Sequence, residues 1–345
     1  MKTTHRILLE DARKMRRLKD ESIDLMITSP PYPMIKMWDA MFYEQNPEIA
    51  KAIKNEDGER AFELMHKELD SVWKETYRVL KIGGVACINI GDATRSIGGR
   101  FQIYPNHSRV LSFCLNTGFH ALPEILWVKE TNKPDKFMGS GMLPVGAYVT
   151  LEHEHILILR KAGKREFERP EEKANRQKSA FFWEERNVWF SDKWSDINGV
   201  FQRLNHKKLR DRSAAYPIEL AYRLINMFSV HGDTVLDPYL GTGTTTLAAI
   251  ASARNSVGYE IDLNFKCLIE ERIREVKDVA NEITKQRLTA HLEFVKTRFS
   301  GGESKYRNEN YKFPVMTNQE TRLIIPKLRN VAMVEEGVFE ARHVY

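Results

Sequence analysis

Short apolar runs alternate along this chain with stretches in which apolar residues recur at helical spacing. His5 to Leu9 and Ile23 to Thr28 are of the first kind. The second run, packed with Ile, Leu and Met and ended by Ser-Pro-Pro, predicts a strand buried on both faces. From Glu59 to Lys81 the residues Phe62, Met65, Leu69, Val72, Trp73, Tyr77 and Leu80 fall on one helical face, and Gly83-Gly84 stops the pattern. Val85 to Ile90 predicts a strand, Ser108 to Asn116 a helix, and Ala121 to Lys129 and His153 to Leu159 two more strands. From Pro217 a helix leads to a strand at Thr234 to Leu236, a Gly/Thr turn, a helix at Thr244 to Ala253, a strand at Ser256 to Tyr259 and a long helix beyond Leu263.

Such alternation predicts an α/β fold around a mostly parallel sheet. Residues 131–146, rich in Gly and Pro, read as a long loop of the sort that covers a substrate. After Arg160 the regular pattern gives way to mixed charges interleaved with Phe181, Phe182, Trp183, Trp189, Phe190 and Trp194, and it resumes near Tyr216-Pro217. The expected organisation is therefore a first half over 1–160, an inserted module over 161–205, a second half over 206–298, and a polar, irregular extension of unassigned role over 299–345.

Charge sharpens this division. The chain carries a formal +6, and residues 160–212 alone hold fifteen Lys/Arg against nine Asp/Glu, an excess as large as that of the whole chain. A polyanionic partner docking on the module, with Arg165, Arg169, Lys173, Arg176 and Lys178 as candidate phosphate contacts, is the expectation. The aromatic residues have a plainer reading, in which at least two of Trp183, Trp189 and Trp194 build the module's own core. Cys87, Cys114 and Cys267 are scattered and lack CxxC spacing, which disfavours a disulfide framework and a zinc site and suits a reducing cytoplasm. His153 and His155 read as strand-edge residues, because no third ligand stands at a suitable spacing, so no metal is expected. No signal peptide and no apolar run of membrane-spanning length is evident.

Two motifs carry chemistry. In Val235-Leu236-Asp237-Pro238-Tyr239-Leu240-Gly241-Thr242-Gly243-Thr244-Thr245 a strand enters a glycine turn and then a helix, so backbone N–H groups can approach a ligand at a positive helix terminus. The lysine of a P-loop is absent, as is GxGxxG. The next strand ends in Gly258-Tyr259-Glu260, where an acidic side chain can accept ribose hydroxyls, although a solvated helix cap is an alternative for Glu260. In Asp24-Leu25-Met26-Ile27-Thr28-Ser29-Pro30-Pro31-Tyr32 two prolines break a buried strand. Proline removes backbone donors, leaving the Pro30 carbonyl and Ser29 as acceptors, with Tyr32 as a flat face for a base. Two acceptors gripping the protons of an exocyclic amine favour a tetrahedral nitrogen with a free lone pair.

On these residues the chain resembles the amino-methylating DNA methyltransferases, whose catalytic motif is [DNS]-P-P-[YFW] and whose cofactor motif is similar to D-P-F-x-G-[ST]-G-T. The resemblance runs from His5 to Arg274. TSPPY precedes DPYLGTGTT, the order of the β class, which implies a circularly permuted, Rossmann-like, seven-stranded sheet. It further implies S-adenosyl-L-methionine as cofactor, held by Asp11, Thr28, Asp237, Pro238, Tyr239, Gly241, Gly243, Thr244, Thr245 and Glu260, with Ser29, Pro30, Pro31 and Tyr32 as the catalytic corner. Leu9-Glu10-Asp11-Ala12 resembles the turn around the adenine, though Asp11 could equally cap a helix. Residues 212–217 resemble the segment beside the methionine moiety, and His153-Glu154-His155 the strand flanking the base pocket.

The implied reaction is direct transfer to an extruded base of double-stranded DNA. Ser at the first motif position points to N4 of cytosine, with N6 of adenine as the alternative. Cytosine-C5 chemistry needs a cysteine, usually after proline, and none of the three follows one. Methylation of RNA or of a protein amide, and a ligand-free nucleic-acid-binding module, are the rival readings. A cognate restriction endonuclease is an expected partner, and the chain is expected to act as a monomer or homodimer.

Overall fold

The computed structural model describes residues 1–129, 138–198, 215–300 and 304–345. In chain order the first half runs β1 (Lys2–Leu8), β2 (Ile23–Thr28), α1 (Asp39–Gln45), α2 (Pro47–Lys54), α3 (Gly58–Val79), β3 (Leu80–Ile90), the hairpin β4 (Ala93–Ile97) and β5 (Arg100–Tyr104), α4 (Asn106–Thr117) and β6 (Phe119–Val128). There follow β7 (Met138–Gly139), β8 (Ala147–Tyr148), β9 (His153–Lys161), α5 (Pro170–Lys178), α6 (Trp183–Trp189) and β10 (Lys193–Trp194). The chain then gives α7 (Ile218–Phe228), β11 (Thr234–Asp237), α8 (Thr244–Ala251), β12 (Asn255–Tyr259), α9 (Lys266–Arg298), β13 (Tyr306–Arg307), β14 (Pro314–Val315), β15 (Lys327–Glu335) and β16 (Val338–Val344).

Ten strands form one sheet in the order β10-β6-β9-β3-β2-β11-β12-β1-β16-β15. Strands β3, β2, β11, β12 and β1 are parallel, and β9 runs antiparallel between β3 and β6. This is the expected seven-stranded, mostly parallel core in permuted order, enlarged by one short strand at one edge and a hairpin at the other. Both faces are covered. Leu25 and Ile27 of β2, with Val85 and Cys87 of β3, pack toward α7, α8 and α9, while Met26, Ala86 and Ile88 pack toward α3 and α4. All six residues of β2 are buried, so its run of Ile, Leu and Met follows from having a helix layer on either side.

Gly83 and Gly84 fall inside β3 rather than at the end of α3, which stops at Val79. The tail corrects the expectation of an irregular extension: β15 and β16 pair with each other, and β16 pairs antiparallel with β1. Gly337 makes the tight turn between them at φ +69, where a Cβ would stand 2.8 Å from the Ile7 carbonyl oxygen.

The inserted module is less separate than its composition suggests. Trp189 and Trp194 are buried while Trp183 is 39% exposed, in line with a core role for two of the three. Arg287 of α9 donates to Glu185 of α6 at 2.5 and 2.7 Å, and β10 joins the sheet beside β6. Residues 199–205 of the module lie outside the described residues.

Arg165, expected as a phosphate contact, is tied into the protein. Its guanidinium donates to Asp233 at 2.7 and 3.1 Å and stands 3.5 Å from Asp24. Those acids lie at the amino ends of β11 and β2, the rim opposite Thr28 and Asp237. Helix α5 is tied to the same end, because Asn175 donates to the His231 carbonyl at 2.8 Å. Arg169 is paired with Glu172 at 2.6 Å, and Arg176 lies over the Phe167 ring. With Lys173 and Lys178 on that helix, all five candidates cluster away from the rim where β2 and β11 end. Among the described residues no helix is long and apolar enough to cross a membrane.

Replacing Arg165 leaves a buried acid without its strongest partner. Arg165→Ala is expected to cost about 1–3 kcal/mol of stability, read from the midpoint of denaturant unfolding, with the salt dependence of DNA binding unchanged. A normal midpoint with a shallower salt slope would restore Arg165 as a phosphate contact.

Candidate active site

Seven core strands deliver one polar group each to a single rim. At the carboxyl ends of the parallel strands stand Asp11 after β1, Glu260 after β12, Asp237 at the end of β11, Ser29 after β2 and Asn89 near the end of β3. Strand β9 runs the other way, so its second residue, Glu154, reaches the same rim, and Lys129 follows the end of β6. Neighbouring strands lie about 4.8 Å apart, so the three steps from β1 to β2 span about 14 Å along the rim. Ligands of open α/β sheets bind at this edge where the strand order reverses.

A cleft of about 850 Å³ lies there, and it brings together Ser29, Pro30, Pro31 and Tyr32 with Asp237, Pro238, Tyr239, Gly241, Thr244 and Glu260. Asp11 lines it as well. Its carboxylate accepts from the Arg13 backbone N–H and from Arg13 Nε, both at 2.8 Å, which makes it a turn residue rather than a helix cap. Glu260 accepts from the Gly241 N–H and the Asp262 N–H, each at 2.8 Å, so it braces the glycine turn. Burial pushes its carboxyl up to about 7 against those two donors. Arg272 fixes the turn from behind, donating to the Thr242 carbonyl and hydroxyl at 2.6 Å.

Three of the residues implied to hold the cofactor act from behind the cleft wall. The Thr28 hydroxyl donates to Asp237 Oδ1 at 2.6 Å and the Thr245 hydroxyl to Oδ2 at 2.5 Å. The Tyr239 N–H also binds Oδ1, at 3.0 Å. Buried Asp237 thus joins the strand that carries the proline corner to the strand and helix that carry the glycine turn, across 209 residues of sequence. Burial pushes its carboxyl upward, and the Thr245 and Thr28 hydroxyls oppose the shift. Gly243, at φ +85, begins α8 with Ile269 packed 3.3 Å from where its Cβ would be, so its role is the close turn. Several wall residues escape the motifs, including Trp38, Leu69, Val72 and Phe265; each is an ordinary apolar residue whose role depends on tertiary position. Ala215 and Tyr216 line the cleft, whereas 212–214 lie outside the described residues.

The proline corner is wired to Glu154, within the stretch that resembles the base-pocket strand, and to Asn89 and Lys129, which no motif marks. Ser29 Oγ lies 3.0 Å from Tyr32 Oη, and Tyr32 Oη lies 2.9 Å from Glu154 Oε2. Asn89 Nδ2 is 2.6 Å from the same carboxylate oxygen and 2.9 Å from Tyr32 Oη. Lys129 is ion-paired with the other oxygen of Glu154. Gly91 permits this packing, since a Cβ there would stand 3.1 Å from the Tyr32 ring and 3.2 Å from Glu154 Cγ.

A nearby cluster corrects the reading of the histidines. His155 has ligand-type neighbours after all: Asp92 and His107 place ligand atoms within 4.8 Å of it and of each other. Asp92 accepts from His107 Nδ1 at 2.8 Å, and the His107 and His155 rings stack at 3.8 Å with planes 11° apart. Ring lone pairs lie in the ring plane, so two near-parallel rings do not aim at one point. The Asp92 hydrogen bond raises the His107 imidazole, while burial and then His107 lower that of His155.

Comparison with known proteins accords with this geometry. Residues 23–271 match the family model described as DNA methylase. Type II methyltransferase M.MthZI of Methanothermobacter thermautotrophicus is 56% identical over 99% of this chain and 95% of its own. M.MjaI of Methanocaldococcus jannaschii is 51% identical over 79% and 91%. TTHA0409 of Thermus thermophilus, solved with S-adenosyl-L-methionine, is 32% identical with a TM-score of 0.61 over 79% of this chain and 94% of that one. PvuII DNA methyltransferase (cytosine-N4-specific) shares the fold at 17% identity and a TM-score of 0.55, over 81% and 93%. The chain belongs to the N6/N4 DNA methylase family, Rossmann-like enzymes that take their methyl group from S-adenosyl-L-methionine.

A carboxyl raised to about 7 carries its full charge only above that pH. A charged acceptor binds ribose hydroxyls more strongly than a neutral one. S-adenosyl-L-methionine is therefore expected to bind up to about tenfold more tightly near pH 8 than near pH 6, with Glu260→Gln flattening the difference. Calorimetric titration at the two pH values checks this; an equal pH dependence in the variant would assign it to another group.

Proposed function

We propose that this chain is the modification enzyme of a Type II restriction-modification system, working in the cytoplasm and transferring methyl from S-adenosyl-L-methionine to N4 of cytosine in double-stranded DNA. Support comes first from the shared cleft: Ser29-Pro30-Pro31-Tyr32 and the glycine turn face one space although they are far apart in sequence. Asp11 lies toward the adenine end, Glu260 takes the ribose hydroxyls, and Gly241 with Thr244 flanks the remainder of the donor. The sulfonium methyl then stands before Ser29 and Pro30, and the amine nitrogen attacks it in line. Positioning supplies most of the rate.

Duplex DNA hides its amino groups, so the base must leave the stack at a cost of a few kcal/mol. The catalytic rim is the side from which DNA arrives, flanked by β4–β5 and β7–β8, whose Phe101 and Tyr148 rings stack at 4.5 Å. Serine at the first position of the motif favours cytosine. The relatives' Type II names favour an endonuclease partner acting on the same site.

Incubation with labelled S-adenosyl-L-methionine and unmodified DNA, followed by digestion to nucleosides, is expected to yield N4-methylcytosine. N6-methyladenine would redirect the target while keeping the enzyme class, and label on RNA or protein alone would contradict the proposal. Ser29→Ala is expected to cut turnover about 100-fold with cofactor affinity nearly intact; full turnover in that variant would remove Ser29 from the reaction.

A further inference from the structure

We propose that Glu154 is a positioning residue that fixes the hydrogen-bond polarity of Ser29, so that the proline corner can accept a hydrogen bond from an amine and has none to offer a ring nitrogen or a carbonyl. The inference rests on the reading of Ser29 as the group that grips the target amine.

Polarity follows from counting hydrogens. A carboxylate ion-paired with Lys129 has only lone pairs to present, so in the 2.9 Å contact between Tyr32 Oη and Glu154 Oε2 the phenol donates. Tyr32 has one hydrogen, and its other acceptor, the Asn89 carbonyl, is farther at 3.5 Å. The two hydrogens of Asn89 Nδ2 go to Glu154 at 2.6 Å and to Tyr32 at 2.9 Å. Tyr32 Oη has then given its hydrogen and received one, and the 3.0 Å contact with Ser29 Oγ can be made only with Ser29 as donor. Asn89 Nδ2 also lies 3.5 Å from Ser29 Oγ, its longest contact, with no hydrogen left for it.

The serine hydroxyl is thereby committed backward, into the protein, and Ser29 Oγ meets the cleft with lone pairs alone. An exocyclic –NH₂ finds an acceptor there, whereas a ring nitrogen or carbonyl oxygen meets lone-pair repulsion. Burial and the neighbouring Glu154 charge push the Tyr32 phenol well above its ordinary range, so it keeps its hydrogen to donate. Topology makes the chain possible, because the antiparallel course of β9 brings Glu154 to the rim where β2 and β3 end.

Glu154→Gln keeps the shape and supplies an amide N–H, which lets Tyr32 accept and releases the Ser29 hydrogen toward the cleft. In single-turnover assays the methyl-transfer rate to DNA is expected to fall about 10- to 100-fold, with Kd values for S-adenosyl-L-methionine and for DNA within about twofold of wild type. Tyr32→Phe keeps the ring and is expected to show a similar loss, and the double variant little more than either, because both break one chain of bonds. A wild-type rate in Glu154→Gln, or losses that simply add, would overturn the assignment. Should Glu154→Gln fail to fold by thermal melt, Tyr32→Phe carries the test, and full transfer there overturns it. Wild-type protein that labels no DNA base would instead refute the proposed function and leave no polarity to test.

Discussion

One buried carboxylate holds the two halves of this chemistry together. Asp237 takes the Thr28 hydroxyl on one oxygen and the Thr245 hydroxyl on the other, and with them the strand that ends in the proline corner and the helix that begins at the glycine turn. An unpaired carboxylate in this position would be costly to bury; with a hydroxyl donor on each oxygen and the Tyr239 N–H on Oδ1 it becomes a fixed strut between β2 and β11. Parallel pairing of those strands sets their ends level. The permuted order of motifs therefore does not disturb the site, because hydrogen bonding across the sheet fixes the geometry whatever the order of the loops in the chain.

From that strut the rim reads as a sequence of tasks. Asp11 and Glu260 follow β1 and β12, beyond β11 from the corner, where the proposed reading has them meet the polar groups of a nucleoside. Gly241 and Ser29 line the same cleft, where the proposed reading sets backbone against the donor and the serine before the reacting nitrogen. Asn89 on β3, Glu154 on β9 and Lys129 just past β6 continue beyond it in one chain of contacts, to which the proposal assigns the polarity of Ser29. Reversing β9 is what extends the line, since a parallel strand there would put Glu154 at the opposite edge, beside the ion pairs of Asp24 and Asp233.

How much of this could be read from sequence depended on whether the signal was local. The buried strand over Ile23–Thr28 and the helix Gly58–Val79 were legible from periodicity, and TSPPY and DPYLGTGTT from motif chemistry, because each is complete within a short stretch of its own neighbours. Glu154 and Asn89 were opaque in their role, being single polar residues whose meaning appears only when sheet order sets them side by side. Arg165 has the same limit: a basic run shows its charge, but not that Asp233, 68 residues on, pairs with it at the rim opposite the two motifs. The closing hairpin was missed although Phe339, Ala341 and His343 alternate as a one-sided strand should, because frequent charges between them masked the period.

A crystal structure with bound S-adenosyl-L-methionine tests the common cleft most directly. The donor is expected to lie along the rim with its ribose on Glu260 and its sulfonium methyl turned toward Ser29, leaving room for a nitrogen about 3–3.5 Å from that methyl. A donor bound with its methyl turned away from the proline corner, or seated elsewhere on the molecule, would contradict the arrangement on which every step depends.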